Sequence, residues 1–226
     1  EIIDPAIELL ALVTRDKKFL AVKLPGMIFS GGSGTGKTYV ARYVASKANV
    51  RFVVGNDFPK DNEEDEWTKD DVIALFHLLR AYVKKERKPI ILFFDQLDSV
   101  LASASEEAVA QLYTELDGLT GAIEGVLVIG ATTVDSEELE PQLVRRFGAV
   151  VTFFSPNSKG GAAMLRYFLD KHVHEDIAVE DLSLALDGKT PADLERLINT
   201  ANERAQVRAQ GSGEAIIAKE DICYAF

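Results

Sequence analysis

The chain has 226 residues, 47% hydrophobic and 27% charged, with a formal net charge of −11 at pH 7. That length suits one large domain, or one medium and one small, and the balance is that of an ordinary globular protein. The acidity opposes non-specific nucleic-acid binding, so no nucleic-acid partner is expected. No apolar run reaches the length of a membrane span, and the start carries no signal-peptide pattern. Cys223 is the only cysteine, which excludes an intrachain disulfide and suits the cytoplasm or another reducing compartment. His77, His172 and His174 lack metal-ligand spacing and read as surface.

In chain order, residues 2–13 are apolar at mostly helical spacing, with a helix start near Asp4-Pro5. Gly26–Ser30 reads as a short buried strand. It leads into Gly31-Gly32-Ser33-Gly34-Thr35-Gly36-Lys37-Thr38, which fits the phosphate-binding pattern G-x-x-x-x-G-K-[ST]. Glycines let such a loop curl its N–H groups around an anion, and a helix opening at Lys37 adds its dipole. Lys37 would reach the β- and γ-phosphates of ATP, and the Thr38 hydroxyl would ligate Mg²⁺. The helix over 39–48 follows, then a strand over 51–54. Residues 56–71 hold eight carboxylates around Trp67. They read as a solvated loop, or as a substrate-facing loop with Trp67 as its apolar contact.

Val72–Val83 has the stripe of an amphipathic helix. Ile90–Phe94 reads as a strand buried on both faces and ends at Asp95. An acid at the carboxyl end of such a strand would hold Mg²⁺, directly or through water. Ser103–Glu106 fits a capping box, with a helix to Leu116 behind it. Residues 126–131 form another apolar strand, ending at Thr132-Thr133. A short helix over 141–147 carries Arg145-Arg146, and 150–154 reads as a fifth strand. Alternating strands and helices predict an α/β fold, a parallel sheet flanked by helices. Past the turn-rich stretch at Pro156 only helices are expected, over 162–171, 179–186, 192–208 and 219–226. The expected domains are therefore 1–155, nucleotide-binding, and 156–226, a small all-α lid.

This ordered set resembles the AAA+ ATPases, a family of P-loop NTPases, over nearly the whole chain. Its texture is similar to the FtsH-type proteases and the meiotic and severing group. Leu116-Asp117-Gly118-Leu119 resembles their M-D-G stretch, and Ala131-Thr132-Thr133 their A-T-N, which puts Thr133 at the sensor-1 position. Arg145-Arg146-Phe147 looks like the arginine-finger segment, either arginine being a candidate. Thr190–Leu194 is similar to the S-G-A-D-L stretch that lies over adenine. The resemblance thus implies ATP and Mg²⁺ as cofactors, with Gly31 to Thr38, Tyr39, Pro191 and Ala192 contacting nucleotide and Thr38 and Asp95 the metal. Lys37, Asp95, Gln96, Thr133, Arg145 and Arg146 are the candidate catalytic set.

The chain departs from the family in four ways. The family's D-E is Asp95-Gln96 here, and an amide is too weak a base to polarise water. Sensor 1 is Thr133 rather than Asn. No pore-loop aromatic-hydrophobic-Gly triplet follows the second strand, leaving Trp67 as the nearby aromatic. The adenine contact on the amino-terminal side belongs upstream of residue 1, so the chain looks like an excised module. The expected function is the ATP-binding module of an oligomeric, hexameric-ring protein-remodelling motor with weak hydrolysis. The alternative is a non-hydrolysing scaffold or regulatory subunit. Expected partners are other subunits, homo- or hetero-oligomeric, and a protein substrate.

Overall fold

The structure, a computed structural model, describes residues 26–60, 66–117, 125–209 and 215–226. The helix expected over 2–13, and Gly118-Leu119, lie outside the described residues. The chain forms two compact units. The first takes the described residues up to Gly31 and those from Lys37 to Phe153; the second takes Gly32–Gly36 and the described residues from Phe154 onward.

The first unit is built on five parallel strands: β1 Met27–Ser30, β2 Arg51–Val54, β3 Ile90–Phe94, β4 Val126–Thr132 and β5 Val150–Thr152, in the order β2-β3-β4-β1-β5. Side chains alternate across a strand, and the two faces of the sheet are covered accordingly. Ile90, Leu92 and Phe94 enter one apolar cluster, while Ile91 and Phe93 enter the other. The second cluster is closed by α1, Lys37–Ala48, through Ala41, Val44 and Ala45. The first is closed by α2 Lys69–Glu86, α3 Leu97–Ala102, α4 Glu106–Asp117 and α5 Pro141–Phe147. This two-sided cover explains why the strands read as continuous apolar runs.

Local chemistry sets the helix ends. Thr68 caps α2, its hydroxyl facing Asp71, whose carboxylate accepts the Thr68 N–H at 2.9 Å. The cap of α4 sits two residues later than the sequence suggests. Ser105, not Ser103, accepts from the helix, taking the Ala108 N–H at 3.2 Å, because Ser103 ends α3, a turn of helix the sequence reading missed.

Trp67 corrects an expectation. It is not a solvated contact on the acidic stretch but a core residue, 3% exposed. Its backbone bridges to Ala104, and its indole stacks on Phe58 and meets Phe94 edge-on, with centroids 5.9 and 6.0 Å apart. The physical reason is area: an indole buries more apolar surface than the neighbouring carboxylates could keep in water. The charged residues on either side therefore do not decide where Trp67 goes.

The second unit has its own core. Helix α6, Ser158–Leu169, is capped by Asn157, which accepts the Gly160 N–H at 2.9 Å. A 3₁₀ segment over Val179–Leu186 stands where an α-helix was expected, the tighter turn being common in short connectors. Helices α7, Pro191–Ala209, and α8, Lys219–Ala225, complete it around Leu165, Leu169, Leu194, Ile198, Ile217 and Ile222. Asp221 is fully buried. Its carboxylate accepts from the Ala218 N–H at 2.9 Å and from Arg208 at 2.7 Å, with Arg204 at 3.4 Å. Burial pushes the Asp221 carboxyl up, but Arg208, the Ala218 N–H and Arg204 together outweigh it and hold it below 3.8.

Two outcomes are expected. Trp67→Ala should cost the first unit about 3–5 kcal/mol, the usual loss for a large buried aromatic, read by urea unfolding. Asp221→Ala should destabilise the second unit by about 1–3 kcal/mol by stranding buried polar groups. A depressed carboxyl stabilises the fold above its unfolded pKa, so the wild type's margin over Asp221→Ala should begin to shrink as pH falls through 3.8 and go on shrinking toward the lowered native-state pKa. A margin unchanged at pH 3 would contradict this.

Candidate functional site

All five strands run the same way, so their carboxyl ends share one edge of the sheet. In the first unit β1 delivers Gly31 there, β3 delivers Asp95 and β4, between them, ends at Thr132. Gly31 has φ 143°, and a Cβ would lie 2.2 Å from the Phe153 carbonyl oxygen, so no side chain fits. The Lys37 ammonium donates to the Gly31 carbonyl at 2.5 Å. Desolvation lowers the Lys37 pKa, an effect that Asp95 and then Asp98 oppose. The Thr38 hydroxyl lies 3.4 Å from Asp95 Oδ2. A hydroxyl and a carboxylate converging at that distance make a hard oxygen pair of the kind Mg²⁺ accepts.

Within the second unit, Gly32–Gly36 runs beside the start of α7. Thr35 Oγ1 donates to the Gly32 carbonyl at 2.8 Å, and the Ala192 N–H to the Gly34 carbonyl at 3.3 Å. Gly34 has φ 76°, and a Cβ there would meet Thr190 Oγ1 at 2.8 Å. Thr190 and Asp193 bond reciprocally, Thr190 N–H and Oγ1 donating to the Asp193 carboxylate at 3.0 and 2.8 Å. Pro191 takes the first turn of α7. Gly36 has open space around its missing side chain, Gly32 has only a methyl at 3.9 Å, and Ser33 is exposed. At Gly32 and Gly36 no side chain crowds the position a Cβ would take, as a phosphate cradle needs.

Asp95 and Gln96 form the turn from β3 into α3. Asp95 Oδ1 accepts the Gln96 N–H at 3.1 Å, and Gln96 sits left-handed, φ 50° and ψ 56°, with its side chain exposed. Asp98 is bonded by the Thr132 hydroxyl at 2.6 Å, and that hydroxyl accepts the Val134 N–H at 3.1 Å. Thr133 lies just past β4 and is exposed. Tyr39 lies on the open face of α1, stacked on Tyr43 with centroids 6.3 Å apart.

The paired arginines diverge. Arg146 forms an ion pair with Asp117 and lies over the Tyr113 ring, 5.9 Å to the centroid. The Tyr113 pKa is raised by burial and by Glu140, while Arg146 opposes. Arg145 is exposed and makes no ion pair among the described residues.

Sequence reasoning missed Asn56. Its side chain accepts the Asp95 N–H at 2.8 Å and donates to the Asp95 carbonyl at 2.9 Å. The order of the sheet was the missing signal: once β2 is known to pair with β3, the polar residue after β2 must face the acid after β3.

Comparisons with known proteins follow the same line. The sequence profile of the "ATPase family associated with various cellular activities (AAA)" matches residues 27–155, more than half of the chain. The ATP-dependent zinc metalloprotease YME1L of Drosophila melanogaster is 33% identical over 215 residues, covering 88% of this chain and 28% of that protein. The ATP-dependent zinc metalloprotease FtsH of Mycoplasma mobile is 31% identical over 227 residues, 89% of this chain and 30% of that one. FTSH 9, chloroplastic/mitochondrial, of Oryza sativa is 31% identical over 200 residues, 83% and 24%. The chain thus spans less than a third of the length of the curated relatives it matches.

Proposed function

Because the chain belongs to the AAA family of ATPases, whose members use ATP with Mg²⁺, we propose that it is the ATP-binding module of an oligomeric protein-remodelling machine whose hydrolysis is slowed at Gln96. The observation that carries this reading is the Thr38–Asp95 pair beside Lys37, with an amide rather than a carboxylate next in the chain.

Gly31 to Thr38 hold the phosphates through backbone N–H groups, and the lowered Lys37 supplies a cation close to a metal-holding carboxylate. Thr38 and Asp95 would hold Mg²⁺, which would neutralise phosphate charge there. By the resemblance to the family, Pro191 and Ala192 would contact the adenine. Thr133, exposed beyond β4, is free to reach a water or a phosphate oxygen. The missing function is orientation and polarisation of the attacking water. Gln96 can orient water through its amide oxygen but cannot take its proton. Asp98 already accepts from the Thr132 hydroxyl, which leaves it less available to take the place of a base at position 96.

In a ring, an arginine of one subunit would complete the site of the next. Arg145, exposed and outside any ion pair described, is the one available to a neighbour. Arg146, held by Asp117 and Tyr113, ties α5 to α4. A second reading, a nucleotide-dependent scaffold, is favoured by Gln96 and by the burial of Trp67, the aromatic nearest to where a substrate loop was expected.

Gln96→Glu should raise single-turnover hydrolysis by about 10²–10⁴-fold, the usual worth of a positioned general base, with ATP affinity little changed. Negligible rates in both forms would favour the scaffold. Arg145→Ala should abolish any ATP-dependent shift to a larger species in sizing experiments and leave the melting temperature in place. A shift lost only in Arg146→Ala would move the finger role to Arg146.

A further inference from the structure

We infer that Asn56 is a positioning residue for the metal carboxylate: it brackets the Asp95 peptide groups and so aims Asp95 at Thr38. The inference rests on the reading of Thr38 and Asp95 as the Mg²⁺ pair, and adds a residue that touches neither metal nor nucleotide.

The chain prepares this contact one residue before Asn56. Gly55 follows β2 and is buried against Phe94, and a Cβ there would lie 2.3 Å from the ring. Only glycine lets the chain come so close. That approach brings the next residue, Asn56, level with Asp95, the residue after Phe94. A side-chain amide has the same donor and acceptor as a peptide group. Asn56 uses both, accepting the Asp95 N–H at 2.8 Å and donating to the Asp95 carbonyl at 2.9 Å. It therefore extends the β2–β3 ladder by one side-chain rung beyond Val54–Phe93, the last backbone pair.

The location of this rung matters. Asp95 lies between a strand and a left-handed turn at Gln96, an angle that costs a side-chain-bearing residue strain. A residue flanked by such a turn can rotate about its own φ and ψ unless the peptide groups on both sides of its Cα are held. With them held, one carboxylate oxygen receives the Gln96 N–H at 3.1 Å and the other faces Thr38 at 3.4 Å. Without the bracket, the carboxylate samples other directions and the metal loses a prepaid ligand geometry. Lys37 and the glycine loop, which hold the phosphates themselves, do not depend on Asn56.

The test separates the two effects. Binding of a fluorescent ATP analogue to the 226-residue chain is titrated with and without Mg²⁺ for wild type, Asn56→Ala and Asn56→Ser, with the melting temperature taken in parallel. In Asn56→Ala the Mg²⁺ needed for half-maximal strengthening of binding should rise by about 5–10-fold, the scale of losing two modest hydrogen bonds. Affinity without Mg²⁺ should stay within about twofold of wild type. Asn56→Ser, which keeps one hydroxyl to donate or accept, should fall between, and carries the test if the alanine variant does not fold. An unchanged Mg²⁺ requirement overturns the inference. So does a loss of affinity that is equal with and without Mg²⁺ and tracks a lowered melting temperature, since that marks a merely structural contact. If wild type itself binds the analogue without any response to Mg²⁺, the Thr38–Asp95 reading falls, and the Asn56 inference falls with it.

Discussion

The structure of the first unit depends on the burial of β3 on both faces. Ile90 to Phe94 have no exposed side, so the strand cannot slide or turn over without moving its apolar side chains to the wrong cluster. A strand fixed this firmly delivers its last residue to one place. Asp95 is polar and sits where the apolar run stops, at the shared carboxyl edge of the sheet. Everything proposed for the site follows from that placement: Thr38 facing it, Asn56 bracketing it and Gln96 turning away from it into α3.

On the proposed reading, the same edge would let a nucleotide site retain binding while losing speed. The groups that would hold charge are backbone N–H groups, one ammonium, one hydroxyl and one carboxylate. The group that would move a proton is a single side chain at a turn. Changing Glu to Gln there preserves shape and hydrogen bonding and removes only basicity. Nothing in the packing opposes the change, because the side chain at position 96 is exposed.

Much of the fold was legible in the sequence because it rests on local signals. Apolar runs such as 90–94 and 126–131 are unambiguous for strands in a parallel sheet. The glycine-rich loop announces itself by spacing alone. The reading failed where position depends on a distant partner. Trp67 is flanked by carboxylates and looked solvated, yet Phe58 and Phe94 enclose it. Arg145 and Arg146 are adjacent in sequence and cannot be told apart there; Asp117 and Tyr113, some thirty residues earlier in the chain, distinguish them. Asn56 sits in a polar stretch, and only the neighbour relation between β2 and β3 gives it a role.

The burial of Trp67 has an optical consequence. It is the only tryptophan in the chain, so all indole emission comes from one known environment. That ring touches Phe94 edge-on, and Phe94 is followed directly by Asp95. The protein thus carries a native fluorophore in contact with the last residue of β3, beside the carboxylate proposed to hold the metal. Lys60, with its ammonium 5.5 Å from the indole centroid, adds a nearby charge to which the emission is sensitive. The wavelength and lifetime of that emission report on the first unit alone, with no label attached and no tryptophan in the second unit to confuse the signal.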